Sequence, residues 1–307
     1  MRRRRRRLAR NGSRRLATFA AAAVVVAGAV VFAADRARAP APAPAAAGAT
    51  HHPKGPPAPK VSKPPTTPPP SAPPSHTGVL PAAALLRVAG QDQWPQLPNG
   101  CEVTSLSMLL GAVGHPTSKL ELAARMPRDP TPRVKKNGVI VSWGNPNVGF
   151  VGNVYVFVDG FGIYHGPITR LLDKVLPGQA VDLTGKPFDA ALSAVASGRP
   201  VVLWTTSTFS PDVPFITWQS PEGPVHTTLD EHAVLLVGYD KEDLFVNNPE
   251  NGERAEAVPR ARFVAAWHVM GSQAVTTAGD AVPAADRCVG NIGACLAHLP
   301  GRAASAD

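Results

Sequence analysis

Proline decides where this chain can fold. Of its 307 residues 34 are proline, and a large share of them fall in the first 77 positions. Residues 40–77 are mostly Ala, Pro, Ser, Thr and Lys, with almost no large apolar side chain. A segment with so little to bury cannot offset the entropy of ordering, so an extended, polyproline-like spacer is expected there. From about residue 79 to 277 the composition becomes globular, and an overall hydrophobic content of 44% is enough for an ordinary core. His51 and His52 lie inside the spacer and read as incidental neighbours, not as metal ligands.

The formal charge of +9 suggests nucleic acid until it is located. Arg2 to Arg7, Arg10, Arg14 and Arg15 contribute nine positive charges with no acid among them, so everything after Arg15 is formally neutral. A nucleic-acid binder carries its basic surplus on the folded domain, where it can neutralise phosphates, so that class is excluded. The arginines instead precede an uncharged apolar run, residues 16–34. A basic start before such a run is the pattern of a secretory signal or a retained membrane anchor, and 19 residues just suffice to span a bilayer as a helix. Ala37 and Ala39 offer small residues at cleavage spacing, but Pro40 would follow the cut, so both alternatives stay open. Arg14 and Arg15 also partly resemble a twin-arginine export signal. Under either reading the folded part is exported or held outside the membrane.

Within the globular stretch, residues 101–114 (CEVTSLSMLLGAVG) carry apolar positions at helical spacing and stop at Gly114 and Pro116. Ser118 caps a second short helix. Residues 126–163 read as loops with short extended pieces. Further helices are expected over 167–175 and 188–196, and one over 260–268. Residues 200–206, 232–239 and 244–247 are short apolar runs bounded by turn residues and read as strands, the last two as a hairpin, with a final strand at 273–277. Helices first and strands later give an α+β domain with antiparallel pairing.

Three cysteines occur. Cys288 and Cys295 are close enough to form a disulfide in an oxidising compartment, which leaves Cys101 unpartnered. Cys101 opens an apolar helix after Asn99 and Gly100, where free N–H groups and the helix dipole are expected to lower a thiol pKa. His232 begins a strand and is a candidate base. Asn248, one hairpin later, is a candidate orienter that accepts from the imidazole N–H, as in Cys-His-Asn sites. An oxyanion needs the Cys101 N–H and a side-chain amide, for which Gln91, Gln93 and Gln96 are all candidates. Trp204 and Trp218 read as core residues, with a cleft-lining role as the alternative. No metal-ligand spacing, phosphate loop or cofactor motif stands out, so neither metal nor cofactor is expected.

The stretch QWPQLPNGCEVTS, residues 93–105, resembles the nucleophile motif of the bacteriocin-processing-peptidase-like (C39-like) branch of papain-fold cysteine peptidases. GRPVVLWTT from Gly198, HAVLLVGY from His232 and VNNP from Val246 are similar to that family's later blocks, in the same order. The resemblance implies a papain-like fold, a helical part packed on an antiparallel sheet, with Cys101 as nucleophile, His232 as general base and Gln93 as oxyanion donor. Asn248 stands where many relatives have Asp, which keeps the orienting role but removes a charge that would stabilise the imidazolium. The expected organisation is a leader or anchor over 1–39, a linker over 40–78, a peptidase domain over 79–278 and a tail with a disulfide loop over 279–307. The expected activity is hydrolysis of a peptide or amide bond in a peptide or protein substrate by a monomer. The alternatives are a catalytically silent cell-surface binding module and a cell-wall amidase, the latter lacking its usual Asp-Cys-Ser-Gly motif here.

Overall fold

The computed structural model describes residues 79–298; the leader, the spacer and the apolar run at 16–34 lie outside them. In chain order the elements are β1 (Ala84–Leu86), α1 (Cys101–Ala112), α2 (Lys119–Arg125), β2 (Arg128–Asp129), β3 (Val134–Lys136), β4 (Val139–Ser142) and β5 (Phe150–Val151). There follow α3 (His165–Val175), β6 (Ala180–Asp182), α4 (Asp189–Ala196), β7 (Val201–Thr206), β8 (Ile216–Ser220) and β9 (Gly223–Thr227). The chain continues with β10 (Glu231–Tyr239), β11 (Asp243–Asn248), β12 (Glu253–Pro259), α5 (Arg260–Val269), β13 (Ala274–Thr277), β14 (Arg287–Val289) and α6 (Gly293–Ala297).

The main sheet runs β12-β11-β10-β7-β13-β6, with β1 paired to both β10 and β14. Every pairing in it is antiparallel. This is the α+β architecture expected from helices that precede strands. The central strand β10 is buried at every position from His232 to Tyr239, which explains its continuous apolar reading in place of alternation. Helix α1 packs across β10 and β7, α4 packs on the same two strands, and α5 packs on β7. Ten consecutive α1 residues, Cys101 to Leu110, are buried, so this helix runs through the core and is not a surface helix with one apolar stripe.

Local signals mostly behave as expected. The Ser118 hydroxyl accepts from the Glu121 N–H at 3.1 Å and caps α2. Helix α3 starts at His165, so Pro167 falls inside its first turn, where its missing N–H costs nothing. Trp204 and Trp218 are core residues, their indole N–H groups satisfied by the carbonyls of Ile163 and Gly144 at 3.0 and 2.8 Å. The segment set apart as a tail differs from expectation. After residue 278 the chain returns to the sheet, β14 pairs with β1, and Val282 and Ile292 are buried. Cys288 and Cys295 are joined as a disulfide, which leaves Cys101 as the free cysteine.

Candidate active site

Helix α1 and strand β10 bring their chemistry together at one end. Cys101 is the first residue of α1, so its N–H has no intrahelical acceptor. One turn on, the Ser105 hydroxyl donates to the Ala233 carbonyl at 3.2 Å and ties the helix to the residue after His232. Gly100 is a steric requirement. A Cβ there would stand 2.5 Å from the Leu97 Cβ, so the tight turn into the helix excludes a side chain.

Cys101, His232 and Gln93 line one cavity of about 520 Å³, with Pro98, Trp143, Phe161 and Glu231 in its wall. Of the three glutamines, Gln93 alone faces this cavity; Gln91 and Gln96 line a separate pocket beside α2. Gln93 is buried, and its Nε2 donates to the Pro98 carbonyl at 2.9 Å. An amide nitrogen carries two hydrogens, so one remains for a ligand. The hairpin β10–β11 places the histidine and asparagine at its open end, where His232 Nε2 lies 2.9 Å from Asn248 Oδ1. With Nε2–H donating, Nδ1 is the unprotonated nitrogen that can act as a base.

The segment after β11 holds more than the histidine. The Pro249 carbonyl accepts from the Gln93 N–H at 2.8 Å, so the same strand end positions the candidate base and the candidate oxyanion donor. Asn99 anchors the opposite rim. Its Nδ2 donates to the carbonyls of Asn153 and Val156 at 3.1 and 2.9 Å, fixing a loop whose Phe157 and Val158 stand exposed at the cavity mouth. The cavity wall itself is aromatic. Trp143 and Phe161 pack against the buried Trp218, with ring centroids 5.7 and 5.1 Å apart. These wall residues escaped the sequence reading because they lie in the irregular stretch 126–163, which has no periodicity to mark an inward face.

The electrostatics overturn one expectation. Position at a helix start predicts a lowered thiol pKa, yet burial pushes the Cys101 thiol well up, and the carboxyls of Glu102 and Glu231 push it further. Desolvation outweighs the dipole because the thiol, although it lines the cavity, is itself buried. Burial likewise pulls His232 down from 6.5 to about 4. The resting pair is therefore a neutral thiol and a neutral imidazole.

Glu102 and Glu231 are the functional surprise. Burial raises Glu102 from 4.5 to about 7, while burial and the neighbouring Glu102 hold Glu231 well above its ordinary value. Glu102 Oε1 accepts from the Ile163 N–H at 2.6 Å, whereas Glu102 Oε2 and Glu231 Oε1 are buried without a hydrogen-bond partner. Cys101 Sγ and one oxygen of each carboxyl lie within 4.8 Å of one another. Two buried carboxyls at that range cannot both ionise, and the raised values mean that the pair retains a proton. A Cβ on Gly162 would meet Glu102 Oε1 at 2.6 Å and Glu231 Oε2 at 2.8 Å, so glycine at that position makes room for the pair. The one available signal was adjacency, since each glutamate neighbours a candidate catalytic residue in sequence.

Residues 85–275 match the Peptidase_C39 like family. An uncharacterised protein of Bacillus subtilis (strain 168), YvpB, is 38% identical over 181 residues, 59% of this chain and 70% of that protein. A crystal structure described as a C39-like peptidase from Bacillus anthracis superposes with a TM-score of 0.59 at 40% identity, covering 64% of this chain and 98% of that one.

Proposed function

The chain belongs to the Peptidase_C39 like family, and from that premise we propose that it is an exported cysteine hydrolase cleaving a peptide or amide bond through an acyl-enzyme. The observation that carries this is the convergence of Cys101, His232 and Gln93 on one cavity, with His232 oriented by Asn248. Because thiol and imidazole rest neutral, His232 Nδ1 removes the thiol proton as sulfur attacks the carbonyl carbon, in general-base fashion. The oxyanion receives the Cys101 N–H and the free Gln93 Nε2–H. Collapse breaks the C–N bond, His232 returns the proton to the departing amine, and water then hydrolyses the thioester with His232 again as base.

The test is a peptide library incubated with the wild-type chain and with Cys101→Ala, followed by mass spectrometry of the quenched protein. The expected result is cleavage that Cys101→Ala abolishes, with a substrate-derived acyl group on Cys101. The buried, protonated thiol favours one competitor, a silent binding module of the same fold. Peptides retained by the protein without turnover or acylation would establish that competitor instead. The compartment belongs to the same proposal, resting on the arginine-led apolar run at 16–34.

A further inference from the structure

A hydrogen-bond chain extends beyond His232 and Asn248. Asn248 Nδ2 donates to Glu256 Oε2 at 2.8 Å, while Asn248 Oδ1 faces His232 Nε2 at 2.9 Å and also accepts from the Glu250 N–H at 3.0 Å. Glu256 belongs to β12, and the pairing of β11 with β12 explains how it gets there. Val246 is opposite Glu256 and Asn248 is opposite Glu253, so β12 carries one extra residue between these pairs. Within this bulge Ala255 adopts φ 48°, and its N–H is taken by Asn247 Oδ1 at 3.0 Å. Asn248 lies two residues along from Val246 on the same strand face, so Glu256 is its diagonal neighbour across the ladder.

We propose that Glu256 is a positioning residue that fixes the Asn248 amide, and through it the His232 tautomer, and so supplies at one residue's remove the carboxylate that Asn248 lacks. The inference rests on the cysteine-hydrolase reading for its kinetic consequence, but not for its structural one. A carboxylate can only accept, so the atom that Asn248 turns towards Glu256 must be Nδ2. Oδ1 is then obliged to face the histidine, and an acceptor there requires Nε2 to carry the proton. Nδ1 is left free as the base. The Glu250 N–H, bound to Oδ1, favours the same orientation from the backbone; without Glu256 it alone opposes the flipped amide, which would place the proton on Nδ1 and disable the base. The charge also polarises the amide towards the histidine, since hydrogen bonds in a chain strengthen one another and those to an ionised acceptor are the stronger kind.

The test compares Glu256→Gln and Glu256→Leu with the wild type in two measurements. The first is the ¹⁵N spectrum of the full chain labelled at histidine, with the His232 signals assigned by loss in His232→Gln. The wild type is expected to show the pattern of a proton on Nε2. Glu256→Gln, which keeps an acceptor oxygen at nearly the same volume, is expected to preserve that pattern. Glu256→Leu is expected to lose it to a mixture of tautomers. The second is turnover, where kcat is expected to fall roughly tenfold or more in Glu256→Leu, on the scale of losing a group that orients a functional histidine. The Gln variant should recover most of that loss, and KM should move little in either. An unchanged His232 spectrum in Glu256→Leu overturns the proposal. Absence of turnover in the wild type would defeat the hydrolase reading while the tautomer measurement still decides the role of Glu256.

Discussion

Glu231 stands one residue before His232, and a carboxyl oxygen of it lies within 4.8 Å of one of Glu102, the residue after Cys101; burial raises both carboxyls, and Glu102 raises that of Glu231 further. The two glutamates and His232 couple stability to pH with opposite signs. The glutamates are held protonated in the fold at pH values where the unfolded chain releases the proton. Their contribution is complete below pH 4.5 and is lost as pH rises through about 7 for Glu102, and further for Glu231. His232, lowered to about 4, contributes fully above pH 6.5 and loses that contribution as pH falls towards 4. The two trends oppose one another at mildly acidic pH, and above pH 6.5 the glutamates alone continue to vary. Glu231→Gln keeps the shape and removes one titration. Its stability relative to the wild type is expected to grow as pH rises from 5 to 8, read by urea unfolding at the two pH values. A difference independent of pH would mean that the fold does not raise the Glu231 carboxyl.

At the scale of elements, the asparagines that close β11 do separate jobs. Asn247 is buried, takes the Ala255 N–H of the β12 bulge on Oδ1, and donates from Nδ2 to the carbonyls of Val88 and Ala89 at 3.2 and 3.3 Å. Asn247→Ala leaves the buried Ala255 N–H and the carbonyls of Val88 and Ala89 without that partner, and an expected cost is about 2–4 kcal/mol, measured as a lower urea midpoint. An unchanged midpoint would show that the bulge holds without its side-chain anchor. These elements also show what a sequence can reveal. Strand β10 and the hairpin to β11 are legible because their apolar runs end in turn residues, and the nucleophile helix is legible from its spacing and its Gly114 stop. Strand β12 is not, because Arg254, Glu256 and a left-handed Ala255 break the alternation that marks a strand. The hairpin of β8 and β9, tipped by Pro221 and Glu222, is likewise hidden. Glu102 and Glu231 escape for a different reason. Their burial arises only when two segments about 130 residues apart meet, and charged residues carry no local sign of such a fate.

For the whole molecule, the disulfide lies away from the chemistry. Cys288 is opposite Leu85 in the pairing of β14 with β1, and neither cysteine lines the cavity with Cys101. Closing a loop with a sequence separation of 7 restricts the unfolded chain by about 2–3 kcal/mol. The double variant Cys288→Ser with Cys295→Ser should therefore unfold at lower urea, while turnover of the folded protein stays within about twofold of wild type. A loss of turnover without loss of stability would contradict this division. The strand that this bond secures has one more consequence. Strand β1 finds its neighbours only at residues 238–239 and 287–289, so its edge stays bare until far downstream chain has been made. Pairings of such long sequence separation form slowly, because a large loop must close before any contact rewards it. Completion of the domain is thus set by time as well as by energy: a chain interrupted before residue 287 keeps an open, adhesive sheet edge. Such a chain is prey for proteases or chaperones before it is ever an enzyme.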